Sequence, residues 1–178
     1  MQDKVVLHYL DHTLIKGITS NFSPVKSFLH VQDHETQAIS KVYLSDLKAV
    51  YFVKTYEGNP KHEEVPDSTR DELGRKVKLV FKDGEILYGY TQSFTRDLQF
   101  FNVFPADPQS NNERIFVNRK ATETIKLVED FSEAQHILRT PEQEFEIVRC
   151  PSCNVKNRVS KANMGKKVKC GKCRNYLF

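Results

Sequence analysis

The sequence predicts a mainly β protein with two small five-stranded barrels in tandem, followed by a separate cysteine-bearing module. Three observations lead to this prediction. Apolar and polar residues alternate along short segments, one long segment matches another at a constant offset, and all four cysteines lie within residues 150–178.

The alternation has the two-residue period of a half-buried strand. Val5, Leu7 and Tyr9 would share one strand face, with the residues between them on the other face. The tripeptide KDG at 82–84 is typical of a turn between two strands, and LDH at 10–12 takes the same place in the earlier segment. These patterns predict strand hairpins rather than helices.

A long internal match indicates a duplication. Segment 4–31 aligns without a gap on segment 76–103 at an offset of 72 residues, with nine identities in 28 positions. Shorter matches follow at offsets of 73 and 75, between 42–45 and 115–118 and between 50–53 and 125–128. Each unit then has five strand-like runs, which suits a small barrel.

The glycines and the size of each unit refine this picture. Gly17 and Gly89 lie inside the second strand of each unit, where glycine commonly marks a bend that lets a short sheet curl. One such barrel buries little apolar area, so the two are expected to pack together, with Val6 and Leu10 as candidate contacts. The predicted order is barrel 1–54, polar linker 55–74, barrel 75–129, short helix and linker 130–146, and zinc ribbon 147–178. Asp130 or Ser132 would cap that helix and Pro141 would end it.

The cysteines have the spacing of a metal site. Cys150, Cys153, Cys170 and Cys173 form the pattern C-x2-C-x16-C-x2-C, which places two thiolate pairs on two tight turns around one ion. Four thiolates suit one structural Zn²⁺ and close its coordination sphere against water. Two disulfides or a redox Cys-x-x-Cys pair are the alternatives. An expected cytoplasmic location argues against disulfides, and the absence of a βαβ pattern argues against the redox pair.

The positive charge is concentrated around these cysteines. Residues 150–178 contain eight of the 27 basic residues and no carboxylate, which leaves 19 basic against 23 acidic groups in residues 1–149. Such a module would attract a polyanion, either nucleic acid or an acidic protein. The candidate contacts are Lys156, Arg158, Lys161, Lys166, Lys167 and Lys169.

Residues outside this module offer little chemistry. In the polar segment before the fourth strand of the second unit, Asn111, Asn112 and Arg114 could bind phosphate or a backbone strand, or could form a solvated turn. The sequence has no Ser-His-Asp arrangement, no phosphate loop and no open metal site, so we expect no catalytic residues and no enzyme. No segment approaches 18 apolar residues, and charges interrupt the N-terminal segment, which predicts a cytoplasmic protein without membrane contact.

Three resemblances add expectations. The stretch LVFKDGEILYGYTQSF resembles the first motif of SH3/Sm-like small barrels, although Thr95 stands where the Sm family usually has Asp, so the resemblance implies the fold and not the RNA site. Segment 21–26 is similar to the Asp-x-Ser-x-x-Gly turn of PilZ domains, which bind a cyclic dinucleotide. Arg70 and Arg75 are one residue too far apart for the PilZ arginine pair, so a small nucleotide is not the expected ligand.

The third resemblance covers residues 150–178, which are similar to the N-terminal zinc ribbon of one class of bacterial thioredoxins. In such ribbons the positions of Asn154 and Arg174 are often glycine. The tandem as a whole resembles an uncharacterised bacterial family of paired small barrels. We therefore expect a cytoplasmic adaptor or regulatory binding protein, whose ribbon contacts nucleic acid or a protein. The alternatives are a PilZ-like cyclic-dinucleotide receptor and an accessory subunit of an enzyme complex.

Overall fold

A computed structural model describes residues 2–95, 97–132, 145–160, 165, 168–170 and 172–177. The chain divides into two compact units, Met1–Ser132 and Glu133–Phe178. The described residues are mainly β, as predicted. Most of the predicted helix, from residue 133 to its stop at Pro141, lies outside the described residues. No helix in the described ranges is long and apolar enough to cross a membrane.

The first unit is built from ten strands within its described residues. They are β1 (Asp3–Tyr9), β2 (Leu14–Thr19), β3 (Phe28–Asp33), β4 (Ile39–Tyr43), β5 (Leu47–Val53), β6 (Arg75–Phe81), β7 (Ile86–Thr91), β8 (Phe100–Pro105), β9 (Asn112–Asn118) and β10 (Thr122–Leu127). Short 3-10 helices occur at Leu44–Asp46, Asp71–Leu73 and Arg119–Ala121. We call β1–β5 the first half and β6–β10 the second half.

The ten strands form one antiparallel sheet with the order β10-β6-β7-β8-β9-β5-β1-β2-β3-β4. Five strands occur in each half, as expected, but the prediction of two separate closed barrels is not met, because the sheet is open. The physical reason is the partner of β5, which pairs with β9 of the second half instead of with β4 of its own half. Strands β4 and β10 therefore lie at the two ends of the sheet.

Strand register shows which positions of the two halves correspond. Leu29 of β3 pairs with Val42 of β4, and Phe101 of β8 pairs with Val117 of β9. Leu29 and Phe101 are 72 residues apart, whereas Val42 and Val117 are 75 apart. The offset of 73 expected for this strand is therefore wrong. The paired residues are 13 positions apart in the first half and 16 in the second, and these three extra residues shift the correspondence.

Gly17 and Gly89 take equivalent places in β2 and β7, paired with Val5 and Val77. A Cβ atom on Gly17 would lie 2.3 Å from the carbonyl oxygen of Gln32, and one on Gly89 would lie 2.4 Å from that of Phe104. Any side chain would collide with the backbone of the next strand. Both positions require glycine because of this close approach.

The two halves are joined because β5 and β9 contribute to both cores. Val50 and Phe52 of β5 pack in the first-half core, and Phe116 reaches into it from β9. Tyr51 belongs to the second-half core, together with Ala49, Val53, Val77, Leu79, Phe81, Phe101, Val103, Ile115, Val117 and Ala121. Val6 also packs against the second-half core, as expected, whereas Leu10 is 49% exposed.

The predicted linker 55–74 packs against the connection between β8 and β9. Asp107 is buried there and accepts hydrogen bonds from the backbone N–H of Val65 at 2.7 Å and from the His62 ring at 2.8 Å. The Tyr90 hydroxyl donates to the carbonyl oxygen of Asp67 at 2.5 Å. These contacts anchor a polar segment to the sheet.

The second unit contains two described strands, β11 (Phe145–Arg149) and β12 (Lys156–Ser160), which pair antiparallel. An isolated bridge joins Lys169 and Tyr176. Cys150 and Cys153 lie in the connection between the two strands, and Cys170 and Cys173 lie beside the bridge. The fold thus brings both cysteine pairs onto short, hydrogen-bonded turns.

Candidate metal centre

The first cysteine pair lies on a tight turn between β11 and β12. The backbone N–H of Cys150 donates to the carbonyl oxygen of Val155 at 3.0 Å, and that of Asn154 donates to the carbonyl oxygen of Cys150 at 2.9 Å. Asn154 has a φ of 58°, in the left-handed region. Asparagine tolerates this conformation better than most residues, so the turn forms without glycine.

The second pair repeats the same hydrogen bonds. The backbone N–H of Cys170 donates to the carbonyl oxygen of Asn175 at 2.8 Å, and that of Arg174 donates to the carbonyl oxygen of Cys170 at 3.0 Å. Arg174 has a φ of 60°, which costs an arginine about 1 kcal/mol. Asn154 and Arg174 thus take the equivalent left-handed position in the two turns.

The two turns bring the four sulfur atoms together. All four lie within 4.8 Å of one another. The Sγ atoms of Cys150 and Cys173 are 3.5 Å apart, and those of Cys153 and Cys170 are 3.6 Å apart. A tetrahedral ion with metal–sulfur bonds of about 2.3 Å requires sulfurs about 3.8 Å apart. The four cysteines could therefore hold one metal ion.

Hydrogen bonds from backbone N–H groups lower the pKa of these thiols, whereas burial raises it. Backbone N–H groups of Cys173 and Lys172 lower the pKa of Cys170 to about 6. At Cys173, a hydrogen bond from the backbone of Asn175 lowers the pKa, but burial and the neighbouring sulfurs outweigh it and raise the pKa to about 12. The pKa values of Cys170 and Cys173 thus shift in opposite directions, and four thiolates this close together need a cation between them.

Apolar side chains enclose the cluster. Cys150 and Cys170 are buried, together with Val159 and Leu177, and Val148 and Val168 pack against the same group. No disulfide links the cysteines. Because four sulfurs would fill every position of a tetrahedral ion, a bound ion would have a closed coordination sphere, which is typical of structural rather than catalytic sites.

The predicted polyanion contacts are placed only in part. Lys156 and Lys169 are exposed, and Nζ of Lys169 lies 5.6 Å from the centre of the Tyr176 ring. The backbone of Arg158 is part of β12, opposite Ile147. The side chain of Arg158 lies outside what the structure describes, and so do Lys161, Lys166 and Lys167.

Three more basic residues are exposed in the same unit, Arg149, Lys172 and Arg174. With Lys156 and Lys169 they make five exposed cations. None of the five forms an ion pair with a carboxylate of the residues that the structure describes. Their charge is therefore available to an external anion.

Residues 1–129 match a family of unknown function, DUF6982. This chain belongs to that family. The matched residues cover the ten-stranded sheet and end before the cysteines, so the candidate metal centre lies outside the DUF6982 region. No curated protein and no solved structure matches the chain.

Within the DUF6982 region, the three predicted loop contacts lie against β5 or the segment after it. The Asn111 side chain accepts from the backbone N–H of Thr55 at 3.2 Å and donates to its carbonyl oxygen at 2.9 Å. Asn112 pairs with Val53. The Arg114 guanidinium lies 3.8 Å from the centre of the Phe52 ring. Phosphate binding by these residues stays a prediction.

The residues that resemble the PilZ motif also have partners within the DUF6982 region. Asn21 hydrogen-bonds the His30 ring at 2.8 Å. The Arg70 guanidinium donates to the carbonyl oxygen of Pro105 at 3.2 Å, and that of Arg75 donates to the carbonyl oxygen of Phe94 at 2.7 Å. Asn21 lies in the first half, whereas Arg75 is the first residue of β6 and Arg70 precedes that strand.

Sequence reasoning missed a buried ionic cluster in the DUF6982 region. Lys48 of β5 is 6% exposed and contacts Asp83 at 2.5 Å and also Glu85, both from the turn between β6 and β7. The Tyr51 hydroxyl donates to Glu85 at 2.9 Å, and burial raises the pKa of Tyr51 well above its ordinary value. A lysine inside the apolar run LKAVYFV was the signal for this cluster, which links the two halves.

Proposed function

We propose that this protein is a non-enzymatic binding protein whose C-terminal module is held by one structural Zn²⁺ and contacts nucleic acid. The observation that carries the proposal is the combination of a four-cysteine cluster with five exposed cations that form no ion pair with a carboxylate of the described residues. The stretch 150–178 contains no carboxylate that could neutralise them.

The donor set favours zinc over other ions. Four sulfurs with no oxygen or nitrogen ligand exclude hard cations such as Mg²⁺ and Ca²⁺, which bind oxygen. Tetrahedral sulfur sites hold zinc or iron. Zn²⁺ suits a site with no open position because it has no redox chemistry and can serve as a purely structural link.

The remaining charge favours a phosphate-bearing partner. Four thiolates on one Zn²⁺ contribute −2, so the eight basic side chains of residues 150–178 leave a net charge of about +6. Tyr176 is 49% exposed and lies beside Lys169. An aromatic ring next to a lysine can stack on a base while the lysine neutralises a phosphate, which distinguishes nucleic acid from an acidic protein.

Metal analysis tests the first part of the proposal. Full-length protein purified under reducing conditions is expected to contain one zinc per chain, and Cys150→Ser should lose it. If the protein contains no zinc, or contains iron instead, the proposed zinc centre is wrong. A matched control is Ser152→Ala, which changes an exposed residue of the same turn and should keep the metal.

Binding measurements test the second part. Fluorescence anisotropy with labelled single-stranded and duplex oligonucleotides should show binding at low salt, with affinity falling by roughly 0.9 log units per log unit of salt for each duplex phosphate contact. A full-length variant with Lys156→Glu, Lys169→Glu and Lys172→Glu should bind at least about tenfold more weakly.

The control carries the same change of charge on the DUF6982 region, with Lys26→Glu, Lys61→Glu and Lys82→Glu at exposed positions. It should bind nearly as well as the original protein. Equal losses in both variants would show a general effect of net charge, and no binding by the original protein would exclude the nucleic-acid contact.

We also infer that the two halves of the DUF6982 region arose by duplication. Their strands follow one another in the same spatial order, and the pairs Val5–Gly17 and Val77–Gly89 are in equivalent register. In this proposal the sheet is the second binding element of the protein.

A further inference from the structure

Strands β5 and β10 hold the same place in the two halves, but only β5 has strands on both sides. β5 pairs with β1 on one edge and with β9 on the other. β10 pairs with β6 and lies at the end of the sheet, so no strand of the described residues covers its outer edge. An unpaired strand edge exposes backbone N–H and C=O groups that can pair with another extended segment.

Strand β9 pairs with β5 and therefore shows what a segment bound at the outer edge of β10, the occupant of that edge, would contribute. Its Phe116 is 2% exposed and inserts into the first-half core, with its ring centre 5.0 Å from that of Phe22 and 5.6 Å from that of Phe100. Two residues earlier, Arg114 lies over the rings of Phe22 and Phe52. The occupant therefore adds an aromatic side chain to a groove beside β5 and covers the groove with a long second side chain.

The second half has an equivalent groove beside β10. It has a volume of about 390 Å³ and is lined by Phe94, Arg119, Thr122, Glu123, Ile125 and Leu127. Phe94 corresponds to Phe22 at the offset of 72, and Leu127 corresponds to Phe52 at the offset of 75. Leu127 is 45% exposed, whereas Phe52 is 1% exposed. The apolar floor is present, and no strand of the described residues covers it.

The other end of the sheet is a poor occupant for this groove. A second copy could in principle pair its β4 with β10, in the way that β9 pairs with β5. Lys41 precedes the buried Val42 as Phe116 precedes the buried Val117, so Lys41 would take the position of Phe116. Nζ of Lys41 lies 4.1 Å from the centre of the Phe28 ring in its own sheet. A lysine at this position opposes strand addition by a second copy.

We propose that the outer edge of β10 binds an extended segment of another protein, which adds a strand to the sheet and places an aromatic side chain in the groove beside Ile125 and Leu127. The backbone hydrogen bonds would supply affinity, and the groove would select the aromatic residue. This interaction is independent of the nucleic-acid contact proposed for the cysteine module.

A peptide that copies the internal occupant provides the probe. A labelled peptide with the sequence NNERIFVNR, residues 111–119, should bind full-length protein saturably in fluorescence anisotropy. The same peptide with Phe116→Ala should bind about tenfold more weakly or worse, because it loses the buried ring. This comparison leaves the protein unchanged, so it does not depend on the folding of a variant.

A variant of the protein locates the site. Leu127→Lys changes an exposed edge residue and should weaken peptide binding by about tenfold or more. The matched control is Ile39→Lys at the opposite edge, where the side chain is 72% exposed, and it should leave binding unchanged. Unfolding curves of both variants should match that of the original protein.

Three results would overturn the proposal. The first is absence of peptide binding up to the solubility limit, and the second is equal binding by the original protein and Leu127→Lys. The third is concentration-dependent self-association in analytical ultracentrifugation that Leu127→Lys abolishes, because the occupant would then be a second copy. A monomer that binds the peptide through Leu127 is the expected result.

Discussion

Strands β5 and β10 occupy the same position in their halves and have opposite environments. All seven residues of β5 are buried, whereas no residue of β10 is buried. Their sequences differ in the same sense, since β5 reads LKAVYFV and β10 reads TETIKL. A strand that has partners on both edges and cores on both faces becomes a continuous apolar run, and a strand at the end of a sheet retains polar residues.

The comparison shows how two small sheets form one body. Each half alone would leave the outer face of its fifth strand exposed, and the first half avoids this by sharing β5 with the second-half core. The buried ions follow the same boundary, because Lys48 of β5 meets carboxylates of the second half. The five predictions below test the two halves against each other, in order of decreasing effect.

Truncation in β5 should cost far more than truncation in β10. Phe52→Ala removes a ring that is 1% exposed and should lower the free energy of unfolding by about 3 to 5 kcal/mol. Leu127→Ala removes an exposed side chain and should cost less than about 1 kcal/mol. Urea unfolding followed by circular dichroism measures both. Similar losses would show that β10 is covered in solution, and the contrast would fail.

Loss of the buried Lys48 should lower the stability of the protein, whereas loss of its counterpart Glu123 should have little effect. Lys48→Ala leaves Asp83 and Glu85 without their cation and should cost about 2 kcal/mol, a value reduced for the partial exposure of both carboxylates. Glu123 is the equivalent residue of the second half, because it lies five residues after Asn118 as Lys48 lies five residues after Tyr43. Glu123→Ala should change stability by less than about 0.5 kcal/mol. An unchanged stability in Lys48→Ala would mean that the ion pairs do not link the halves.

The same cluster predicts a pH dependence. The hydrogen bond from Lys48 lowers the pKa of Asp83 below its ordinary value of 3.8. Because the pKa of Asp83 is lower in the folded state, the ionised carboxylate contributes its full stabilisation above pH 3.8. The protein loses this contribution as the pH falls through the lowered pKa. The original protein should therefore lose more stability than Lys48→Ala over that acidic range, and parallel curves would contradict the assignment.

Glycine should be equally necessary in β2 and β7. Gly17→Val and Gly89→Val each place a Cβ atom within 2.4 Å of a backbone carbonyl oxygen of the next strand, so each should cost about 2 kcal/mol. Thermal unfolding of the two variants gives the measurement. A large loss of stability at one glycine and none at the other would show that the two halves differ in this close contact between neighbouring strands.

The smallest effect concerns the turns between the first two strands of each half. His12 has a φ of 70°, and Gly84 has a φ of 88° in the corresponding turn. His12→Gly should raise stability by about 0.5 kcal/mol, because relief of left-handed strain exceeds the extra entropy of glycine in the unfolded chain. Gly84→Ala should lower it by about 1 kcal/mol. A destabilised His12→Gly would show that the imidazole has a contact of its own.

Most strands were predictable because their signals are local. Val77 and Leu79 lie on either side of Lys78 and are both fully buried in β6. The alignment of β4 with β9 failed, because the longer connection before β9 changes the register without changing the hydrophobic pattern. Lys48 was also missed, since a single lysine in an apolar run does not reveal where its carboxylates lie.

The sequence by itself determined most strands, the two glycines inside β2 and β7 and the four cysteines of the candidate metal centre, because each depends on spacing along the chain. Only the tertiary structure decided that β5 pairs with β9 and that β10 remains at the edge. Edge pairing depends on which two surfaces meet, and backbone hydrogen bonds are the same for every candidate strand. The alternation of side chains predicts that a strand has a buried face, but its partner is selected by packing across both cores.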